Sequence, residues 1–207
     1  MSGRRALAAA SVALASIVSC RGTAPDEAGV VGARAPGEVG LARAEDAGRE
    51  ELQGAEREAI EATIVELYRA FGFRPGEGAD WDRIRASCIE GASFLAPVRE
   101  GEAPSAVGID GFLRAFEAWA ASEPVRSTGL EERVLYARIE GWGTIAHAWV
   151  AFEGYVPATG ERRTRGVDSI GFVRDGTRWK VGSFSTQYED EQSPLPGRFL
   201  ANPAPAQ

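Results

Sequence analysis

Apolar positions recur in two rhythms along the chain, and the change falls near Leu130. Ile60, Ile64, Leu67, Tyr68 and Phe71 repeat every three or four residues, with Glu58, Glu61, Glu66 and Arg69 off the stripe. That spacing predicts an amphipathic helix ending at Gly72. A loop over 74–78 follows, and Asp80 is placed to cap a short second helix over 81–88, with Ile84 facing inward. Residues 92–98 read as a strand that stops near Pro97. Phe112, Leu113, Phe116, Trp119 and Ala120 mark a third helix ending near Pro124.

Beyond Leu130 the period becomes two. Val134, Tyr136 and Arg138 alternate with Leu135 and Ile139, and further strands are predicted over 144–155, 164–173 and 179–188. Glu140-Gly141-Trp142-Gly143, Pro157-Ala158-Thr159-Gly160 and Asp175-Gly176 are the turns between them. Consecutive hairpins make an antiparallel meander. Three helices followed by a meander predict an α+β domain with helices on one face of the sheet.

Composition locates that domain within the chain. Of 207 residues, 9 are Phe, 5 Trp and 4 Tyr, and all of these lie between Tyr68 and Phe199. Aromatic area dominates packed cores, so the first third of the chain is not expected to hold a globular unit. The expected division is a signal over 1–19, a tether over 20–52, a domain over 53–192 and a proline-rich tail over 193–207, with Leu195 and Phe199 docking on the domain.

The amino terminus explains the asymmetry. Arg4 and Arg5 precede an uncharged apolar run over 6–18, then Ser19 and Cys20. A basic start, a short apolar stretch and small residues form a secretory signal. The run is too short to cross a bilayer as a helix. Ile17, Ser19 and Cys20 resemble a bacterial lipobox, which implies cleavage before Cys20, lipidation of Cys20 and attachment to the cell envelope. Arg21 is not the Asp that retains many such proteins at an inner membrane, so the resemblance implies the outer membrane where two are present. The alternative is an ordinary signal peptide with an incidental cysteine. Residues 21–52 hold six glycines and two prolines, a composition expected to serve as a flexible linker.

A chain starting at Cys20 carries 21 Arg plus Lys against 30 Asp plus Glu, a formal −9. That balance gives no electrostatic footprint for nucleic acid. With Cys20 acylated, Cys88 is left without a disulfide partner and is expected to be buried and inert.

Several motifs in this order resemble the NTF2-like superfamily, in its SnoaL-like branch, over residues 56–188. Asp80-Trp81-Asp82-Arg83-Ile84 resembles its short second helix, and Gly108-Ile109-Asp110-Gly111-Phe112 the start of its third. Gly166-Val167-Asp168-Ser169-Ile170 through Arg174-Asp175-Gly176-Thr177-Arg178-Trp179-Lys180-Val181 resembles its last hairpin. The resemblance implies a cone: a strongly curved antiparallel sheet wrapped on three helices and enclosing a pocket. That fold hosts isomerases, dehydratases, hydrolases, cyclases and non-enzymes, so it does not fix a function.

Alignment of the last hairpin with ketosteroid-isomerase-like relatives puts Asp168 at their oxyanion-hole carboxylic acid. It puts His147, Trp149 and Ala151 on the pocket face, opposite Gly182, Phe184, Thr186 and Tyr188. Tyr68 falls near the position of their tyrosine donor. A one-residue slip of register would reverse these faces. Asp168 in an apolar cavity would stay protonated and donate a hydrogen bond; the alternative is a strand Asp paired with Arg165 or Arg138. His147, the sole histidine, suits acid–base work or a structural role. Tyr68 reads equally as a core aromatic. The relatives carry their base directly before a proline, where this chain has Ala96-Pro97, so their proton-abstraction route is missing.

No second histidine or tight Cys/His/carboxylate cluster supports a metal, and no glycine-rich phosphate loop supports a nucleotide; no cofactor is expected. Phe116, Trp119, Trp149, Phe184 and Tyr188 are candidate pocket-lining residues, or plain core. Three functions follow as expectations. The first is an envelope lipoprotein binding a small apolar or aromatic molecule in its cone. The second is a lyase or isomerase using Asp168, His147 and Tyr68, which requires His147 and Asp168 on one sheet face. The third is an interaction module that homodimerises through the outer sheet face.

Overall fold

The computed structural model describes residue 52, residues 54–97 and residues 103–200. The expected signal, the acylated Cys20 and nearly all of the expected tether lie outside the described residues, as does the end of the tail.

Helix α1 (Ala55–Phe71) buries Ile60, Ile64, Leu67, Tyr68 and Phe71, the stripe set by their spacing. It ends at Gly72, whose N–H donates to the Arg69 carbonyl. Helix α2 (Trp81–Ala86) starts at Asp80, whose Oδ1 accepts the Arg83 N–H at 3.1 Å. This satisfies one of the unpaired donors of the first turn. Strand β1 (Cys88–Leu95) begins earlier than expected, because α2 closes at Ser87 and Cys88 is already extended. Burial pushes the Cys88 thiol up to about 11, so little of it is thiolate at neutral pH.

Strand β2 (Ala106–Gly108) is a short segment not foreseen from the sequence, and helix α3 (Ile109–Ala120) follows it directly. A single turn, α4 (Val125–Thr128), leads into the meander. Its strands are β3 (Glu131–Trp142), β4 (Ile145–Tyr155), β5 (Arg162–Asp175) and β6 (Arg178–Tyr188). The sheet order is β2-β1-β6-β5-β4-β3. Neighbours are antiparallel except β1 and β6, which run parallel.

The sheet is curved and does not close. Its ladders shift register between Val134 and Tyr136 and between Gly171 and Phe172. Each such bulge bends its strand and strengthens the local twist. The helices pack into the concave face, where Ile60 and Ile64 meet a core that includes Ala148, Val150, Ile170, Phe172 and Val181. On the convex face the carboxy-terminal segment lies back on the sheet. Leu195 and Phe199 pack there with Tyr136, Ala151 and Val167.

The β4 faces differ from expectation. Val150, not Trp149, stands opposite Asp168 in the ladder, so Ala148, Val150 and Phe152 share the concave face with it. His147, Trp149 and Ala151 lie on the convex face. The convex face of strand β4 mixes Ile145, Trp149 and Ala151 with His147 and Glu153, so alternation alone does not orient it, and the expected faces are reversed by one residue.

Candidate functional site

The concave face is filled at one end and hollow at the other. Along β5 the inward positions run Phe172, Ile170, Asp168, Gly166. The first two are buried hydrocarbon against α1. From Asp168 onward the side chains stop filling the space, and a cavity of about 770 Å³ opens. That volume falls within the range of small-molecule sites, roughly 300–1,000 Å³. Its walls are chiefly Phe71, Phe94, Phe112, Phe116, Phe152 and Phe184. Phe112 lies flat against Phe94, with ring centroids 4.3 Å apart, and Phe71 meets Phe116 edge-on at 5.4 Å. Leu95, Ala96, Pro97 and exposed Arg114 of α3 complete the rim.

Gly166 is small for a reason of packing. A Cβ there would come within 2.6 Å of the Gln187 carbonyl and 3.1 Å of the Phe152 ring. The ring therefore lies directly over the strand, against the cavity wall.

Polar groups gather at the inner end. Asp168 is 2% exposed. Its Oδ2 accepts the Tyr68 hydroxyl proton from α1, while its Oδ1 is buried with no hydrogen-bond partner among the described residues. Thr186, opposite Asp168 in the β5–β6 ladder, and Tyr188 stand on the same face. Neither Arg165 nor Arg138 reaches it: Arg165 pairs with Glu189 at 2.5 Å, and Arg138 with Glu140. Burial pushes the Asp168 carboxyl up to about 7, against the opposing pull of two hydroxyls, that of Thr186, nearby but outside hydrogen-bonding geometry, and that of Tyr68, which donates to it. Tyr68 is raised well above its usual value, first by burial and then by Asp168. Tyr188 is raised for the same first reason, with Glu132 and Asp168 adding to it.

Glu132 of β3 also lines the cavity. Burial, then the Asp168 charge, pushes its carboxyl up to about 8. Sequence reasoning missed it. The bulge between Val134 and Tyr136 places Glu132 and Val134 inward while Tyr136 faces outward, a phase change that strict alternation hides. The one available signal was a Glu two residues before an inward Val at the start of a strand.

The remaining predicted residues separate into two groups. Phe116, Phe184 and Tyr188 line the cavity with Asp168. Trp119 is half-buried and stacks on Phe116 at 5.3 Å without reaching the cavity. Trp149 lines a convex-face groove beneath the carboxy-terminal segment, close to Phe199. His147 is on that same convex face, 2.8 Å from Ser169 Oγ and edge-on to Trp149. Burial lowers its pKa. The Asp168–His147–Tyr68 constellation is therefore not assembled, because the sheet stands between His147 and the other two. Among the described residues no group of three His, Cys, Asp or Glu side chains is gathered as metal ligands would be.

No protein-family model and no curated protein matches the sequence. Solved structures do match the fold. A protein of unknown function with a cystatin-like fold from Nostoc punctiforme superposes with a TM-score of 0.55 at 11% identity, over 68% of this chain and 96% of that one. An NTF2-like protein of unknown function from Pseudomonas putida KT2440 gives 0.52 at 13% identity, over 69% and 94%. At such identities the likeness concerns architecture alone, and the architecture of this chain is the NTF2-like fold.

Proposed function

We propose that the protein is an envelope lipoprotein whose domain binds a small apolar or aromatic molecule in the cone, with Asp168 holding the molecule's polar group. One observation carries the reading: a buried carboxyl, one oxygen of which has no partner among the described residues, belongs to the wall of a phenylalanine-lined space large enough for a ligand. An unpaired buried acceptor costs about 1–3 kcal/mol, and a ligand that donates to it recovers that cost. Lipidation at Cys20 would keep the domain at the membrane, where apolar molecules concentrate. The test is recovery of the ligand by mass spectrometry from protein purified from its native host. Phe112→Trp, which narrows the cavity, is expected to abolish recovery while leaving the protein folded. No bound small molecule, together with unchanged behaviour of Phe112→Trp, would sink the reading. For the anchor, Cys20→Ser is expected to move the protein from the membrane fraction to the soluble one.

A second reading rests on the convex face. Trp142, Ile145 and Trp149 are 72%, 59% and 43% exposed there. Trp142 and Ile145 are ladder partners, so they form one apolar patch suited to a second copy of the chain. Light scattering that finds only monomer at high concentration would remove this reading.

A further inference from the structure

Among the described residues, Asp168 and Glu132 are the two carboxyls that line the cavity. Among the described residues neither has an ion-pair partner, and the neighbouring cations are committed to other acids. Arg133 pairs with Glu131, Arg162 with Glu153, and Arg165 with Glu189. Among the described residues the one cation lining the cavity, Arg114, is exposed on α3. The other titratable groups there, Tyr68 and Tyr188, are phenols held neutral by burial.

This arrangement offers a cation two acids that no cation among the described residues pairs with. The Tyr68 hydroxyl already donates to Asp168 Oδ2, and Oδ1 is left without a partner among the described residues. The aromatic faces around it carry negative quadrupole density, which attracts cations. A carboxylate ligand would set its charge beside two carboxyls, with hydroxyls such as those of Thr186 and Tyr188 as the donors on that face. A protonated nitrogen would find an unpaired carboxyl oxygen, a second carboxyl and π-faces.

Resting on the ligand-binding reading above, we infer that the cavity takes an aromatic or apolar amine, its ammonium group held between Asp168 and Glu132. Binding draws both carboxyls into their ionised forms, so the protein releases protons as the cation enters. Affinity therefore rises with pH while the amine itself stays protonated. The two phenols, pushed up by burial, do not titrate in that window.

The experiment is calorimetric titration of the purified chain with three matched probes: 2-(1-naphthyl)ethylamine, 2-(1-naphthyl)ethanol and 1-naphthylacetate. At pH 8 the amine is expected to bind at least about tenfold more tightly than the alcohol, and the acetate least, as for a cation meeting one buried and one half-buried carboxylate. Between pH 8 and pH 5 the amine should weaken by about tenfold while the alcohol holds steady. Repeating the titration in buffers of different ionisation heat should show proton release. Asp168→Asn and Glu132→Gln should each erase the amine preference and keep alcohol binding, which also shows that the variants fold. If the alcohol binds as tightly as the amine, the amine inference fails and the cavity reading stands. If none of the probes binds, both fail.

Discussion

The two ends of the concave face are built from the same strands and the same helix, yet one is solid and the other hollow. At the solid end, Ile60 and Ile64 of α1 meet Ala148, Ile170, Phe172 and Val181, all essentially without solvent contact. Ala146 and Ala148 are small, so the core there is filled from α1, β5 and β6. At the hollow end, Asp168 and Gly166 replace the large aliphatic positions of β5, and phenylalanines stand around a space rather than across it. The difference teaches that this fold divides its labour along the helix axis. Stability comes from the first half of α1, and the site occupies the second half.

The largest effect should come from the solid end. Ile64→Ala is expected to cost ~2–5 kcal/mol, since a 1%-exposed side chain leaves a cavity its neighbours cannot fill. Phe112→Ala removes more atoms but borders space that is already empty. Urea denaturation should rank it less damaging than Ile64→Ala, and the reverse order would break the division proposed above.

Titration sharpens the same contrast. Asp168 and Glu132 sit at about 7 and about 8 in the fold, against ordinary values of 3.8 and 4.5. The folded chain therefore keeps protons that the unfolded chain has lost. Their contribution is fully present below about pH 4 and disappears as pH rises through 7 and 8, with a slope of up to ~1.4 kcal/mol per pH unit for each group. Asp168→Asn should flatten this dependence and exceed the parent in stability at pH 8.5. Denaturation at pH 5 and 8.5 checks both statements. The smallest effect belongs to the convex face, where Trp142→Ser should change monomer stability by no more than ~0.5 kcal/mol, because the side chain is 72% exposed.

The architecture was legible because its signals are local. The α1 stripe, the Asp80 cap and the Asp175-Gly176 turn each declare themselves within a few residues; Gly176 adopts φ +61°, which glycine takes without strain. Asp168 and Tyr68 could be picked out as a pair only through the family resemblance, being 100 residues apart in sequence and joined by one hydrogen bond. What failed to read was phase. Glu132 was missed and His147 misplaced for the same reason: a face assignment carries over from strand to strand only if every bulge is known. At the bulge beside Tyr136, Leu135 and Tyr136 both pack on the Phe199 cluster, a contact with residues far along the chain. No pattern within β3 announces that.

The parallel pairing of β1 with β6 has a consequence in time. Ser93, Phe94 and Leu95 align with Ser183, Phe184 and Ser185, so an early strand waits for the last one. Until β6 has left the ribosome, β1 has only the three-residue β2 beside it, and Phe94 lacks the Phe184 ring that it faces at 5.7 Å. Contacts this distant in sequence form slowly. A chain that cannot finish its sheet before its last strand exists stays open through nearly the whole of its synthesis.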